Sequence, residues 1–536
     1  MTPFLKQVAD HYYASGHMEK LCFIFPNRRS MVFFRKHLCD AVKSRPLLAP
    51  QMLTINDFVS RASGLHAADR INLLLELYEC YRRHNQKAES LDEFIFWGDV
   101  ILGDFNDVDK YLVDPKQIFA NVADYKALQD TFEYLSEAQR EAIKGFLSHF
   151  NDMSGKLTVD IGSDDPDVKG RFLQIWNILY PLYMDFNGVL EDKGMAYEGM
   201  IYRRIATRLM TLSADDVLDG VFDEDARFVF VGLNALNECE KTLLRKLRDA
   251  GKAEFCWDWS GEMIRDQHNR SSFFMAENVR EFPQAAIWDP EGLPVPEINV
   301  ISVPSSAGQA KRLKDILKDR NGMPEDYAVV LPDEGLLNSV LNSIPEDIPD
   351  INVTMGLPMN GSVLYSMMTD IASIQLHMVC RNGTWFFYHK QVWDFFAGEV
   401  FRKAADAQTM QIVSRVKEGA KYYIPQEDLN GTPLMDTVFR PVVSDPKLAS
   451  AGQISAFAEY QKAVIRAVAP SMAEDGSLAL ELEYAKEYYR SVNMLQAIGM
   501  DVLPVTYIRL LGQVLGAVSV PFRGEPLKGL PVLGPR

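Results

Sequence analysis

Residues 20–30 decide the fold: Lys-Leu-Cys-Phe-Ile-Phe-Pro-Asn-Arg-Arg-Ser, an apolar run that ends in a polar, cationic segment. Lys20–Phe25 has the unbroken apolar character of a strand that is buried on both faces. A helix is predicted to follow from about Asn27 to Cys39. Its predicted buried stripe consists of Met31, Phe34 and Leu38. A buried strand that leads directly into an amphipathic helix is typical of the strand–helix–strand units that build parallel sheets.

Four more apolar runs repeat the pattern. The further predicted strands are Arg227–Val231 (RFVFV), Ala253–Trp257, Ile298–Val303 (INVISV) and Tyr327–Leu331 (YAVVL), and the predicted helices are Asn237–Asp249, Ser306–Lys318 and Gly335–Ile344. Two long tracts, at about 62–215 and 361–515, carry helical apolar spacing. Strand–helix alternation predicts parallel sheets with right-handed crossovers. On these residues alone, a generic multidomain α/β protein stays an equal alternative.

The composition narrows the class of protein. A chain of 536 residues exceeds one hydrophobic core, so about three or four domains are expected. The six cysteines are scattered without a CxxC pair, which argues against a zinc site, an iron–sulfur site or a disulfide framework and favours a reducing cytoplasm. There is no run of about 18 apolar residues and no apolar core of a signal peptide, so we expect a cytoplasmic protein without membrane contact.

Two consecutive arginines stand where the first strand meets its helix. The net charge of −17 argues against nucleic acid, so the local placement of the arginines decides the question. In the first turn, a cation opposes the helix macrodipole at a cost of about 0.3–1 kcal/mol. The free N–H groups of that turn attract anions, and a bound phosphate would reverse the cost. We therefore predict a phosphate contact at Asn27, Arg28 and Arg29; two solvated arginines without a partner are the alternative.

A second strand–helix junction lies in Pro50–Val59. A short strand is predicted to end at Thr54 and a helix to start near Asp57, so Thr54 and Asn56 suit another backbone phosphate. This signal is weaker, because Asn56 and Asp57 are also ordinary helix caps.

Taken in order, these segments resemble the motifs of superfamily 1 helicases. Phe25–Arg29 resembles the first DNA-contacting motif and Leu53–Phe58 the second. Phe228–Asn237 stands where those helicases have the Walker B strand, and Asp326–Glu334 and Asn352–Pro358 resemble the opening of the second motor core. The motifs are most similar to those of AddB-like subunits of bacterial helicase–nucleases, also described as PD-(D/E)XK nuclease family proteins. The resemblance covers nearly the whole chain.

The resemblance implies an α/β fold with two RecA-like parallel-sheet cores, each with a large, mainly helical insertion. The first core would comprise 1–61 and 216–295 with 62–215 inserted, and an incomplete second core would comprise 296–360 and 516–536 with 361–515 inserted. The implied partners are single-stranded or end-frayed DNA and an AddA-like helicase subunit in recombinational DNA repair. No cofactor is implied for this chain, whereas a full-length parent with a nuclease domain would use Mg²⁺.

The residues of a working motor are missing. ATP hydrolysis needs a phosphate-binding loop with its lysine and carboxylates that hold Mg²⁺, and no GxxxxGK[ST] sequence occurs. The residues before the first strand read as a helix with Phe4 on its apolar side. An active motor ends its Walker B strand in Asp-Glu, whereas this chain has the degenerate pair Gly232 and Leu233. Asp258, after the following strand, is a lone acid that we interpret as a turn cap. We predict no ATPase activity.

A nuclease site is not predicted either. Such a site needs an Asp and a (D/E)xK pair that bind metal together at adjacent strand ends. The candidates are Asp160 with Asp167 and Lys169 around the polar loop Gly162–Asp167, Glu191 with Lys193 at a helix end, and Asp333 with Glu334. Each is better interpreted as solvated surface charge. Pro531–Arg536 departs from the family pattern, so we expect a chain truncated before the nuclease domain.

The acidic run from Asp99 to Asp114 lacks the glycine and terminal glutamate of an EF-hand loop, and we interpret it as a helix surface or an interdomain contact.

Three functions stay open. The chain is a catalytically inactive, single-stranded-DNA-binding helicase-like module, the front part of an exonuclease whose nuclease domain is missing, or a protein–protein scaffold for an active helicase, which the acidic balance favours.

Overall fold

The chain divides into two units, Met1–Glu297 and Ile298–Arg536, in a computed structural model. The structure describes residues 2–16, 18–42, 48–85, 88–119, 166–259, 261–266, 268, 270–285, 297–318, 322–353, 355–474, 476–516, 518–520 and 529–534. Both units are mainly helical and contain parallel sheets, which confirms the predicted α/β class. The division into two RecA-like cores with insertions stays a prediction.

The first unit, Met1–Glu297, begins with a helix and alternates between strands and helices. Its strands are β1 (Leu21–Phe25), β2 (Gln51–Thr54), β3 (His66–Ala67), β4 (Met195–Ala196), β5 (Arg227–Val231) and β6 (Ala253–Cys256). Its helices are α1 (Phe4–Ser15), α2 (Arg28–Ala41), α3 (Ile55–Ser63), α4 (Arg70–His84), α5 (Leu91–Lys110), α6 (Pro166–Asp192), α7 (Glu198–Thr211), α8 (Ala214–Leu218), α9 (Glu238–Asp249), α10 (Gly261–Arg265) and α11 (Phe273–Glu281). The expected loop at Gly162–Asp167 lies mostly outside the described residues, and its last two residues begin α6.

A four-stranded parallel sheet in the order β2–β1–β5–β6 forms the core of the first unit. The bounds of β5 are those predicted, and β1 and β6 differ from prediction by one residue each. The chain leaves β1 for β2 on one side, and β5 pairs with β1 on the other side. The carboxyl ends of β1 and β5 therefore flank a topological switch point, the position where open α/β sheets commonly bind ligands.

Helices cover both faces of this sheet. On one face, Val8 of α1 and Phe34 of α2 belong to the same buried cluster as Phe23 of β1. On the other face, the ring of Phe58 in α3 lies 5.0 Å from that of Phe228 in β5. Full burial of each such side chain stabilises the fold by about 1.5–3 kcal/mol, so the two helix layers fix the strand ends in place.

A buried carboxylate joins the helical part of the first unit to the layer beside the sheet. Asp109 of α5 is 0% exposed and accepts hydrogen bonds from the hydroxyls of Tyr183 and Tyr197, each at 2.5 Å. Arg203 Nε lies 2.6 Å from Asp109 Oδ1, and Cys239 Sγ of α9 donates to the Asp109 carbonyl at 3.2 Å. Of the two interpretations of the acidic run, a helix surface is wrong for Asp109, which is 0% exposed. The bond from Cys239 agrees with the other interpretation, a contact between the helical tract and the part that contains the sheet.

The second unit, Ile298–Arg536, combines short sheets with long helices. Its strands are β7 (Val329–Val330), β8 (Ile351–Val353), β9 (Leu357–Pro358), β10 (Val379–Arg381), β11 (Thr384–Tyr388), β12 (Tyr423–Pro425), β13 (Ser519–Val520) and β14 (Leu530–Leu533). Its helices are α12 (Ser306–Lys318), α13 (Leu337–Leu341), α14 (Val363–His377), α15 (His389–Ala397), α16 (Glu399–Ala404), α17 (Ala407–Gly419), α18 (Gln426–Leu429), α19 (Pro433–Val438), α20 (Ala451–Glu474), α21 (Ala479–Ile498) and α22 (Pro504–Gly516).

The parallel sheet of this unit has β14 as its central strand, in the order β7–β14–β8. Leu530 and Val532 of β14 are both 0% exposed. Although the last residues of the sequence depart from the resembled family's pattern, the apolar residues among them are therefore part of a buried strand.

The predicted strand at Ile298–Val303 is wrong. Residues 298–303 have no regular secondary structure, and Ile298 and Val300 are 79% and 90% exposed. A β-branched run favours an extended backbone, but a strand also needs a neighbouring strand and a covered face, which local sequence does not supply. The predicted helix at Gly335–Ile344 is also shorter in the structure, where a 3₁₀ turn at Glu334–Leu336 leads into α13.

An antiparallel sheet in the second helical tract was not predicted. Strands β10, β11 and β12 pair in that order, and Asn382 and Gly383 connect the first two. Both connecting residues have positive φ, +50° and +80°. This is the backbone that a two-residue type I′ hairpin needs, and Asn-Gly is its preferred sequence.

Candidate nucleic-acid interface

The end of β1 positions the two arginines. Phe25 is the last residue of the strand, and Asn27 is the N-cap of α2. Asn27 Oδ1 accepts hydrogen bonds from the backbone N–H of Ser30 at 3.0 Å and from its hydroxyl at 3.1 Å. Arg28 and Arg29 are therefore the first two residues of the helix, as predicted, at the edge that holds the switch point.

The two arginines differ in their surroundings. Arg28 is exposed and has no ion-pair partner among the described residues. Arg29 is half-buried, its Cζ lies 5.5 Å from the centre of the Phe33 ring, and burial lowers the pKa of its guanidinium. The first turn of α2 contains no acidic residue. The positive end of the helix dipole and two cations therefore coincide at this point of the sheet edge.

The start of α3 lies beside the start of α2. Phe25 is in register with Thr54 across the β1–β2 pair. Thr54 is the N-cap of α3: its Oγ1 accepts from the backbone N–H of Asp57 at 3.1 Å, and Asp57 Oδ2 accepts from the Thr54 N–H at 3.4 Å. Neighbouring strands are about 4.8 Å apart, so the two helices begin close together at the same edge of the sheet, from which they continue on opposite faces.

Thr54 and Asn56 both have structural partners. Thr54 is 8% exposed and its hydroxyl oxygen is engaged in the cap, which leaves the hydroxyl proton as the group it can donate. The Asn56 side chain is exposed, and its Oδ1 accepts a hydrogen bond from the hydroxyl of Tyr202. The side-chain Nδ2 of Asn56 still has N–H groups that it can donate to a phosphate.

The two residues that directly follow β5, Gly232 and Leu233, have no side-chain ligand for a metal ion. Gly232 has a φ of +68°, and Leu233 is 4% exposed. A Cβ at Gly232 would lie 3.6 Å from Cε1 of Phe4, so the start of α1 packs over the carboxyl end of β5. Asp258 is exposed and forms no hydrogen bond with a described residue. Its role as a turn cap stays a prediction.

The candidate nuclease residues have other partners or lie outside the described residues. Glu191 accepts a hydrogen bond from Arg204 Nη1 at 2.6 Å, and Lys193 pairs with Glu76. Asp333 Oδ1 accepts from the backbone N–H of Gly335 at 2.9 Å. Asp160 and the side chains of Asp167 and Lys169 lie outside the described residues. Within the part of the chain that the structure describes, His, Cys, Asp and Glu form no group of three or more that could hold a metal ion.

Helix α11 carries candidate residues that the sequence did not identify. Its first two residues, Phe273 and Phe274, are 57% and 46% exposed, and their ring centres are 5.4 Å apart. The exposed Arg270 precedes them. The sequence carries no recognised nucleic-acid-binding motif here, local sequence gives no measure of exposure, and apolar pairs are more often buried.

Comparison of the chain with models of protein families and with curated proteins found no match. Of the helices that the structure describes, none combines the length and the apolar character needed to cross a bilayer.

Proposed function

We propose that this chain binds single-stranded DNA as a catalytically inactive, helicase-like module of a recombinational DNA-repair helicase–nuclease. The observation that carries the proposal is the position of Arg28: exposed, without an ion-pair partner among the described residues, at the first position of α2 beside a topological switch point. An arginine at this position opposes the helix dipole at a cost of about 0.3–1 kcal/mol. A bound phosphate would turn that cost into a charge-assisted contact.

One strand of DNA would lie across the edge of the sheet, so that successive phosphates contact the starts of α2 and α3. Arg28 and Arg29 would neutralise one or two phosphates, and the adjacent start of α3 would offer N–H groups and the Thr54 hydroxyl proton to the next. Arg29 is less available than Arg28, because its guanidinium packs against Phe33. We therefore expect Arg28 to contribute more of the salt dependence of binding.

We also propose that the chain does not hydrolyse ATP. The pair Gly232–Leu233 supplies no carboxylate at the end of β5, and Phe4 packs against the same position. The resemblance to AddB-like subunits supports the same conclusion: the core would retain the parallel sheet but no longer have the residues of an ATP-hydrolysing site. It also supports the two RecA-like cores, the boundaries near 62, 216, 296, 361 and 516, and an AddA-like helicase as the protein partner.

A salt titration tests the proposal. Binding of a short fluorescein-labelled oligo(dT) is followed by fluorescence anisotropy from low to moderate salt for the wild type and for Arg28→Ala/Arg29→Ala. Each lost phosphate contact should reduce the slope of log K against log salt by about 0.7. Arg35→Ala is the matched control, since Arg35 is an exposed arginine of the same helix two turns further on. An unchanged slope in the double variant would contradict the assignment.

Two assays test the remaining functions, an exonuclease and a protein–protein scaffold. Degradation of linear DNA in the presence of Mg²⁺ would favour an exonuclease and overturn the inactive-module proposal. Absence of single-stranded DNA binding, together with stable association with an AddA-like helicase in the absence of DNA, would favour a scaffold. The net charge of −17 is the observation that supports the scaffold.

A further inference from the structure

The start of α11 exposes an aromatic pair that the fold does not need to bury. Phe273 and Phe274 meet edge to face, with an interplanar angle of 78°, and expose 57% and 46% of their surface. The same helix is anchored by other residues: Met275 is 9% exposed and Asn278 only 2% exposed. The two rings are therefore held on a fixed helix while their faces stay accessible to solvent.

The anchors of α11 fix where the rings lie. Asn278 Nδ2 donates to the carbonyl of Asn234, in the loop that follows β5, at 2.6 Å. Further along, Trp257 Nε1, just after β6, donates to the carbonyl of Phe282 at 2.9 Å. Lys241 and Arg245, one turn apart on α9, pair with Glu277 and Glu281 of α11. Helix α11 therefore runs in the same direction as α9, away from the carboxyl edge at which α9 begins. At about 1.5 Å per residue, Phe273 lies about 7.5 Å beyond Asn278, past the carboxyl edge that also holds Arg28.

The residues directly before the rings include two arginines. Residues 264–274 contain Arg265, His268 and Arg270, all exposed, and one acidic residue, Asp266, whose Oδ1 accepts the backbone N–H of His268 at 2.9 Å. Arg270 has no ion-pair partner among the described residues. Exposed rings next to the cationic Arg270 are complementary to nucleic acid, whose bases stack and whose phosphates are anionic. Aromatic residues and arginine are also enriched in protein–protein interfaces, and a dependence of binding on the bases of an oligonucleotide distinguishes the two kinds of partner.

We propose that Phe273 and Phe274 are a base-stacking platform for single-stranded DNA, with Arg270 on the adjacent phosphate. This inference rests on the proposed function and extends it from the phosphates to the bases. In the sheet, β6 lies two strands from β1, a separation of about 10 Å. The rings lie a further five residues of α11, about 7.5 Å, beyond Asn278, so a strand of DNA that contacts Arg28 would have to span both distances to reach them. Because every base has a stacking face, the platform would bind without sequence preference.

An abasic oligonucleotide tests the platform. Anisotropy titrations compare oligo(dT) with an oligonucleotide of the same length and charge whose bases are replaced by abasic sites. The variants are Phe273→Ala/Phe274→Ala, Phe274→Trp, Arg28→Ala and, as the control, Tyr111→Ala, which removes a 57% exposed ring at the end of α5. Thermal unfolding of each variant establishes that it is folded.

We expect the double phenylalanine variant to bind oligo(dT) at least about 10-fold more weakly, with an unchanged salt slope, and to bind the abasic oligonucleotide as the wild type does. Phe274→Trp should keep or increase the affinity. The variant Arg28→Ala should instead reduce the salt slope for both ligands, and Tyr111→Ala should change neither.

The two proposals fail in different ways. If the wild type binds neither ligand, the proposed function fails and the platform with it. If the wild type binds oligo(dT) with a slope that depends on Arg28, but the phenylalanine variant binds equally well, the platform is wrong and the proposed function stands. Equal weakening of oligo(dT) and abasic binding in the phenylalanine variant would also overturn the platform, because the rings would then act without contacting bases.

Discussion

Replacement of Arg28 by glutamate should move stability and DNA affinity in opposite directions. The substitution removes a cation from the first position of α2 and introduces an anion there, in a turn without any other acidic residue. Each of the two changes is worth about 0.3–1 kcal/mol, so the first unit should become more stable by about 0.6–2 kcal/mol at low ionic strength. Arg28 is the better choice than Arg29, because it is exposed and its removal breaks no packing against Phe33.

The affinity for single-stranded DNA should fall at the same time. One phosphate contact is lost, which reduces the salt slope by about 0.7, and a like charge now faces the backbone. Urea unfolding at low and high salt measures the stability, and anisotropy with oligo(dT) measures the affinity. Arg28→Gln is the matched control, with about half the gain in stability. A variant that is less stable than the wild type, or that binds DNA equally well, would refute the reasoning, since a functional cation should be tolerated only at the expense of stability.

Three further predictions concern the scaffold of the two units. Asp109→Ala should destabilise the first unit by about 3–5 kcal/mol in urea, because Arg203 loses its buried partner, whereas Asp99→Ala, which removes a surface ion pair, should cost less than about 1 kcal/mol. Burial and the neighbouring carboxylate of Asp107 raise the pKa of Asp104 to about 7 in the folded state, whereas the usual pKa of an aspartate, 3.8, applies in the unfolded state. Between these two values the folded state holds a proton that the unfolded state has lost. Stability should therefore fall as pH rises from about 4 to 7, and in Asp104→Asn the urea midpoint should exceed that of the wild type at pH 8 but not at pH 4; equal midpoints at pH 8 would contradict the assignment. Gly383→Ala should reduce the free energy of unfolding of the second unit by about 1–2 kcal/mol and so lower its thermal midpoint, because φ is +80° at this residue. An unchanged midpoint would exclude strain at the turn.

Sequence reasoning was most successful where one local pattern was sufficient. The unbroken apolar run of β5 predicted its bounds, and the end of the apolar run at Phe25 with the stripe Met31, Phe34 and Leu38 predicted the start of α2, because both patterns are local. It failed where the outcome depends on distant partners. The run at Ile298–Val303 has strand composition but no regular structure, and the burial of Asp109 depends on Tyr183 in α6 and on Tyr197, the N-cap residue of α7.

The candidate interface shows the same division. Arg28 and Arg29 could be assigned to the first turn from the order of residues alone. The roles of Thr54 as a cap and Phe4 as a cover over the end of β5 required coordinates. Phe273 and Phe274 were missed because exposure is a property of the packed helix, and the same two letters in sequence predict burial more often than contact with solvent. The hairpin at Asn382 and Gly383 is different, since its signal was present in the sequence and was overlooked.

The position of β14 has a consequence for how the second unit acquires its structure. β7 and β8 do not pair with each other, and both depend on a central strand that is synthesised long after them. Until Leu530–Leu533 has left the ribosome, the backbone N–H and C=O groups and the apolar side chains of β7 and β8 have no partner in this sheet. Such long-range closure is slow and leaves strand edges open to aggregation. The helices from α14 to α22 are synthesised in the interval, so we expect them to form before the parallel sheet, which needs β14.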